Sequence, residues 1–140
     1  MNVSDLSVVS DAGEYALEFL DLNCTFRSND GAAYTAVANT TLRIRAGEFV
    51  SVVGPTGCGK STLLNIGAGL LQPTSGQVRV FGQALNGINS RAGYMFQADA
   101  LMPWRSALGN VMLGLQYRGM PDLEARALAQ DWLARVGLSE

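Results

Sequence analysis

The sequence predicts an α/β fold, and three observations lead to this prediction. A short apolar, mostly β-branched run at Phe49–Val53 is followed by residues with the apolar spacing of a helix. Two earlier segments alternate as strands do, and two later segments repeat apolar residues at helical spacing. With 140 residues, 48% of them hydrophobic and 16% charged, the chain is long and apolar enough to bury a core.

An antiparallel hairpin is predicted at the start of this fold. Strands are expected over Tyr15–Leu22 and about Tyr34–Ile44. Between them, Ser28–Gly31 ends in Asp-Gly, which supplies the positive φ that a tight turn needs. Residues 1–13 lack periodicity, so we expect them to form a loose tail.

The run Phe49–Val53 is nearly continuous rather than alternating, which favours a parallel strand buried on both faces. The run ends at Gly54. A helix is predicted from about Gly59, with Gly69 as the candidate for its C-terminal cap. The apolar stripe of this helix is expected to consist of Leu63, Leu64, Ile66 and Leu70.

Two short strands and two helices are predicted in the remainder of the chain. The strands cover Val78–Phe81, which alternates and is ended by Gly82, and Gly93–Gln97. The first helix has apolar residues at Leu108, Val111, Met112 and Leu115. The second helix is opened by Pro121 and stopped by Gly137. Its buried stripe is expected to be Ala125, Leu128, Ala129, Trp132 and Val136.

The most informative motif lies between the Phe49–Val53 run and the helix after it. It matches the pattern G-x-x-x-x-G-K-S/T without a gap, and its candidate nucleotide-binding residues are Gly54, Pro55, Thr56, Gly57, Cys58, Gly59, Lys60, Ser61 and Thr62. Its glycines let backbone N–H groups approach phosphates at a helix N-terminus. Lys60 can reach the β- and γ-phosphates, and the Ser61 hydroxyl can hold Mg²⁺. A glycine turn that binds nothing is the alternative, but a full match containing the chain's only lysine favours a nucleoside triphosphate site.

Composition excludes several other classes of function. With 10 Lys+Arg against 12 Asp+Glu, the net charge of −2 argues against a nucleic-acid binder that depends on a basic surface. The chain has no His, which excludes serine triads and His-ligated zinc sites. Cys24 and Cys58 lack C-x-x-C spacing, and we expect both to be free thiols.

The sequence around the phosphate loop resembles the nucleotide-binding subunits of ABC transporters. The resemblance rests on Gly47–Leu64, on Gly69–Gly76 with the strand that follows, and on Tyr94–Gln97. The run Leu101–Trp104, followed by Asn110-Val111, is similar to the nitrate/sulfonate/taurine importer subgroup. The resemblance implies a P-loop NTPase core with an N-terminal antiparallel β subdomain and the start of a helical subdomain. Residues 14–140 would form the N-terminal portion of such a nucleotide-binding domain.

The resemblance also implies roles for individual residues. Phe26 matches the aromatic residue that stacks on adenine, with Tyr34 as the second candidate. Gln97 matches the glutamine that contacts Mg²⁺ or the attacking water. The expected catalytic residues are therefore Lys60 and Gln97, the expected metal ligands are Ser61 and Gln97, and the expected cofactors are ATP and Mg²⁺.

Three features of the family pattern are missing from the sequence. It contains no Leu-Ser-Gly-Gly-Gln signature, no apolar run ending in Asp-Glu, and no switch histidine. We therefore expect an incomplete ATPase domain, whether a fragment, a broken gene or an incomplete sequence. Such a chain is expected to bind ATP but not to hydrolyse it, because no carboxylate is placed by the pattern to polarise water.

The function implied is that of an ATP-binding subunit of an ABC importer, which couples ATP binding and hydrolysis to solute transport. Met102, Pro103 and Trp104 would dock the membrane subunit, with ordinary core packing as the alternative. A second ATP-binding subunit is the other expected partner, nucleic acid is not expected, and the location would be peripheral, on the cytoplasmic face of the membrane. The competing functions are a P-loop kinase of a small metabolite and a non-transport ABC ATPase.

Overall fold

A four-stranded antiparallel sheet is the framework of the first of two compact units, which are divided between Tyr94 and Met95. The computed structural model describes residues 14–98 and 100–138, so the tail predicted over residues 1–13 lies outside the described residues. The strands are β1 (Tyr15–Arg27), β2 (Ala33–Arg45), β3 (Ser75–Val80) and β4 (Gln83–Ala84), and their order in the sheet is β2-β1-β3-β4.

The predicted β1–β2 hairpin is confirmed, and both strands reach further toward the turn than expected. At the turn, the Ser28 N–H donates to the Ala32 carbonyl at 2.9 Å, and Gly31 has a φ of +85°. The strands extend because cross-strand pairs continue up to the turn. The hydroxyls of Thr25 and Thr35 lie 2.9 Å apart, and the next pair in register joins Phe26 to Tyr34.

The core of this unit lies between the sheet and α1 (Lys60–Gly67). Its buried members are Phe19, Leu22, Cys24, Val37, Leu63, Ile66 and Val78. The helix packs closely on β1, since a Cβ added at Gly67 would lie 3.0 Å from the Phe19 ring. Gly69 follows the helix with a φ of +72°, as its predicted capping role requires. Of the predicted apolar stripe, Leu63 and Ile66 are buried, whereas Leu64 and Leu70 are exposed.

The prediction of strands at Phe49–Val53 and Gly93–Gln97 is also wrong. Neither segment is a strand, and the side chains of Phe49 and Val53 are 94% and 85% exposed. A parallel strand buried on both faces needs a neighbouring strand on each side. Within residues 14–98 and 100–138, every strand pairing is antiparallel and none includes either segment. The apolar character of the run is therefore insufficient to form a strand.

The second unit contains α2 (Ala107–Tyr117) and α3 (Asp122–Arg135), as the apolar spacing predicted. The Ser106 hydroxyl caps α2 by accepting from the Gly109 N–H at 3.1 Å. On α3 the predicted stripe is only partly buried: Ala125 and Ala129 are fully enclosed, whereas Trp132 and Val136 are exposed. In the described part of the chain, no helix has both the length and the apolar character needed to span a bilayer.

Candidate nucleotide-binding site

The phosphate loop lies between Val53 and the first turn of α1, and its conformation depends on glycine at two positions. Gly57 and Gly59 have φ values of +83° and +92°, a region that other residues rarely adopt. Gly59 also lies directly against β2, since a Cβ there would collide with the carbonyl oxygen of Ala36. The loop can therefore pack against the sheet only with glycine at position 59.

Lys60 is folded over the loop that precedes it. Its ammonium nitrogen donates to the carbonyl oxygens of Gly54 at 2.9 Å and Pro55 at 2.7 Å, and lies 3.6 Å from the Cys58 sulfur. Because the first N–H groups of a helix have no acceptor within it, the start of α1 adds further donors beside this cation. The first turn of α1 contains no acidic residue that would offset this positive potential. Loop and helix together present an environment suited to an anion.

A cleft of about 280 Å³ brings the loop together with both aromatic candidates. It is lined by Phe26, Tyr34, Ala36, Gly57, Gly59, Lys60, Ser61 and Thr62. The rings of Phe26 and Tyr34 are 42% and 57% exposed, so each offers a face to a ligand. The cleft thus combines aromatic surface with a cation and helix N–H groups, which suit the two parts of a nucleotide, the base and the phosphates.

The residues near the loop fit a magnesium ion that is held mainly by phosphate and water. Ser61 is exposed on the first turn of α1 and lines the same cleft as Lys60. No group of three or more His, Cys, Asp or Glu side chains suited to a metal occurs among the described residues. Mg²⁺ commonly keeps several waters and takes substrate phosphate oxygens, so one hydroxyl ligand from this loop is compatible with its chemistry.

The other predicted functional residues belong to the second unit. Gln97 lies in a bend and its side chain is exposed. Trp104 is 77% exposed, Pro103 is exposed and Met102 is half-buried, so the alternative that Trp104 is core is not supported. The turn that carries these three residues is held by the Asn110 side chain, which accepts from the Met102 N–H at 2.7 Å. The same amide donates to the Met102 carbonyl at 3.2 Å.

Sequence reasoning missed one contact at the loop. The Tyr34 hydroxyl donates to the Gly57 carbonyl oxygen at 2.7 Å, which ties β2 to the phosphate loop. The hairpin turn indicated only that the two aromatic residues would be neighbours, because a turn at Ser28–Gly31 sets Phe26 opposite Tyr34 on adjacent strands. The bond to Gly57 itself depends on how the loop packs on β2, which the spacing of residues does not reveal.

Comparison with known proteins identifies relatives that share this sequence pattern. A family model described as ABC transporter matches residues 37–140. The taurine import ATP-binding protein TauB of Pseudomonas aeruginosa is 46% identical over 110 residues, covering 79% of this chain and 42% of that protein. An uncharacterized ABC transporter ATP-binding protein of Methanocaldococcus jannaschii is 40% identical over 128 residues, covering 91% of this chain and 48% of that protein. The chain thus spans less than half the length of either relative.

Solved structures of ATP-binding cassettes share the fold. A dimeric cassette in a post-hydrolysis state, bound to ADP and phosphate, has a TM-score of 0.75 and 32% identity. The similarity covers 84% of this chain and 56% of that one. A dimeric bacterial ABC transporter cassette has a TM-score of 0.71 at 32% identity, over 79% of this chain and 53% of that one. The fold class expected from the sequence is thereby confirmed.

Proposed function

Since the chain belongs to the ABC transporter family, we propose that it forms part of the ATP-binding subunit of an importer. The observation that carries this proposal is the cleft in which the phosphate loop, Lys60 and two aromatic rings meet. The names of the relatives in Pseudomonas aeruginosa and Chromobacterium violaceum, both taurine import ATP-binding proteins, favour a taurine-like or sulfonate-like solute. Neither a metabolite kinase nor a non-transport ABC ATPase is supported by these relatives.

In this proposal the phosphates of ATP bind at the loop, and the base binds at the aromatic end of the cleft. Lys60 exchanges its present acceptors, the carbonyls of Gly54 and Pro55, for phosphate oxygens of higher negative charge. The N–H groups of Cys58 to Thr62 donate to the same phosphates. Ser61 would hold Mg²⁺, which supplies charge neutralisation when bound.

Lys60→Ala tests the binding site directly. The substitution removes a charge-assisted contact of about 1.5–3 kcal/mol, so the affinity for Mg-ATP should fall by about one to two orders of magnitude. Isothermal titration calorimetry measures this, with Arg118→Ala as the control because Arg118 is an exposed cation on the second unit. Equal ATP affinity for wild type and Lys60→Ala would overturn the proposal.

We propose further that the residues 1–140 bind ATP without turnover. No carboxylate is placed by the family pattern to orient the attacking water, whereas binding depends mainly on the loop. A phosphate-release assay on the purified chain should give the same rate as the Lys60→Ala variant. Release above that rate would show that another carboxylate, such as Glu48, supplies the missing role.

The proposed partners are a membrane subunit and a second ATP-binding subunit, at the cytoplasmic face of the membrane. Both solved neighbours are dimeric cassettes, which supports the second subunit. Exposed Trp104, beside Pro103 and half-buried Met102, is suited to the centre of a protein interface.

In a complete subunit, Trp104→Ala should reduce co-purification with the membrane subunit, while Tyr117→Ala, at a ring 91% exposed on the same unit, should not. Equal yields from the two variants would exclude Trp104 as a docking residue.

A further inference from the structure

We propose that Tyr34 is a positioning residue that holds the phosphate loop in its anion-binding conformation, and that Phe26 alone serves the base. This inference rests on the proposed function and assigns separate roles to the two aromatic residues of the cleft. The starting observation is the hydrogen bond from the Tyr34 hydroxyl to the Gly57 carbonyl oxygen, 2.7 Å long. It joins a strand of the sheet to the centre of the loop.

The bond matters because packing does not restrain Gly57 on the side where a side chain would lie. Apart from its chain neighbours, a Cβ built at this residue would meet no atom within 4 Å, so nothing packs against that side of the backbone. Its φ of +83° lies in a region that glycine enters and leaves at little cost. The peptide that follows Gly57 could therefore rotate unless one of its polar atoms is held. The Tyr34 hydroxyl holds the carbonyl oxygen at 2.7 Å, and the Cys58 N–H of the same peptide donates to the Pro55 carbonyl at a longer 3.4 Å.

Holding this carbonyl also sets the direction of a donor. The Gly57 C=O and the Cys58 N–H belong to one planar trans peptide, so they point in opposite directions. With the oxygen directed at Tyr34, the Cys58 N–H is directed toward the Pro55 carbonyl, 3.4 Å away. The same carbonyl accepts from Lys60 at 2.7 Å, so the Cys58 N–H and the lysine ammonium share one side of the loop. If this peptide rotated, it would direct a carbonyl oxygen toward the phosphates. The carbonyl oxygen and the phosphate oxygens would then repel each other.

The same bond separates Tyr34 from Phe26. The Tyr34 ring is tied at its tip to the loop, so it cannot turn to follow a base without giving up this contact. Phe26 lies opposite Tyr34 in register, is 42% exposed, and has no polar atom that could tie it to the loop. Phe26 is therefore the ring that is free to adjust to a base.

Two variants and two ligands separate the roles. Tyr34→Phe keeps the ring and removes the hydroxyl, and we expect it to weaken Mg-ATP and inorganic triphosphate by the same factor, about threefold to tenfold, the range expected for one hydrogen bond. Phe26→Leu should weaken ATP alone, because triphosphate offers no ring to stack. Tyr117→Phe is the matched control, since it removes a hydroxyl from an exposed tyrosine of the second unit and should change neither affinity.

Amide hydrogen exchange in the ligand-free chain gives an independent readout. Exchange over residues 56–59 should be faster in Tyr34→Phe than in wild type, while exchange in β1 stays unchanged, so that general unfolding is excluded. Unchanged exchange together with unchanged triphosphate affinity overturns the inference. Loss of ATP affinity alone in Tyr34→Phe also overturns it, because Tyr34 would then be the stacking residue. If the proposed function itself is wrong, the wild-type chain binds neither ligand, or Lys60→Ala binds both as well as wild type does.

Discussion

β3 and the run Phe49–Val53 have similar strand-forming sequences but different structures. β3 pairs with β1, which places Val78 opposite Phe19 and buries it in the core. The run Phe49–Val53 contains more apolar residues in fewer positions, yet it is not a strand and Phe49 is 94% exposed. Amino-acid composition favours a strand at Phe49–Val53 more than at β3. Composition therefore does not explain why only β3 forms a strand.

The difference between these two segments is the availability of a partner strand. β3 is short and alternating, and it pairs antiparallel with β1 on one edge and with β4 on the other. The run is apolar except at Ser51, and such a strand is stable when it is covered on both faces and paired on both edges. Strand propensity measures how well side chains fit an existing sheet. The same apolar residues therefore remain exposed where the described residues provide no sheet for them.

The largest expected effect comes from truncating one residue of the sheet core and one residue of the exposed run Phe49–Val53. Leu22 is fully buried in β1, so Leu22→Ala should lower the free energy of unfolding by about 2–5 kcal/mol. Phe49→Ala removes a larger side chain from an exposed position and should change the free energy of unfolding by less than about 0.5 kcal/mol. Urea unfolding followed by circular dichroism measures both changes. A comparable loss from Phe49→Ala would show that the run is packed in a paired strand.

Sequence patterns predicted the features that depend on residues close in the chain. They did not predict the features that depend on contacts between residues distant in the chain. The hairpin turn at Ser28–Gly31, the presence of α2 and the extent of α3 follow from local signals, and they were predicted correctly. Burial of Leu64, Trp132 and Val136 depends on what packs against each helix, which apolar spacing alone does not specify. Within the site, the motif gave the positions of the loop residues. The bond from Tyr34 to Gly57 required the three-dimensional packing of the loop on β2.

An intermediate effect is expected at the two glycines of the loop, and it tests whether the loop belongs structurally to the sheet region. Gly57→Ala places a side chain in open space at a φ of +83°, which costs about 1 kcal/mol of backbone strain. Gly59→Ala adds a collision with the Ala36 carbonyl of β2, so the loss of stability should be roughly twice as large or more. Thermal unfolding of the two variants provides the comparison. Equal losses would mean that the loop is not packed on β2.

The smallest effect concerns the two free thiols, Cys24 in the core and Cys58 on the loop. Burial raises the pKa of the Cys24 thiol above its ordinary value of 9.0, because the thiolate loses hydration inside the protein. Above pH 9 the unfolded chain loses this proton while the folded chain keeps it, so the unfolded state binds fewer protons and stability falls as pH rises. The contribution of Cys24 is thus fully present below pH 9 and is lost as pH rises toward the folded pKa.

Urea unfolding between pH 8 and pH 10 isolates the contribution of Cys24. The variants are compared by the slope of the free energy of unfolding against pH rather than by its absolute value. Wild type and Cys58→Ala both keep Cys24, so both should lose stability more steeply above pH 9 than Cys24→Ala does. Tyrosine ionisation affects all three chains alike and cancels in the comparison. A parallel test uses a neutral thiol reagent at pH 8, which should modify exposed Cys58 and leave Cys24 intact in the folded chain. Equal modification of the two thiols, or equal slopes in all three chains, would mean that the β1 core is open to solvent in the way that Phe49–Val53 is.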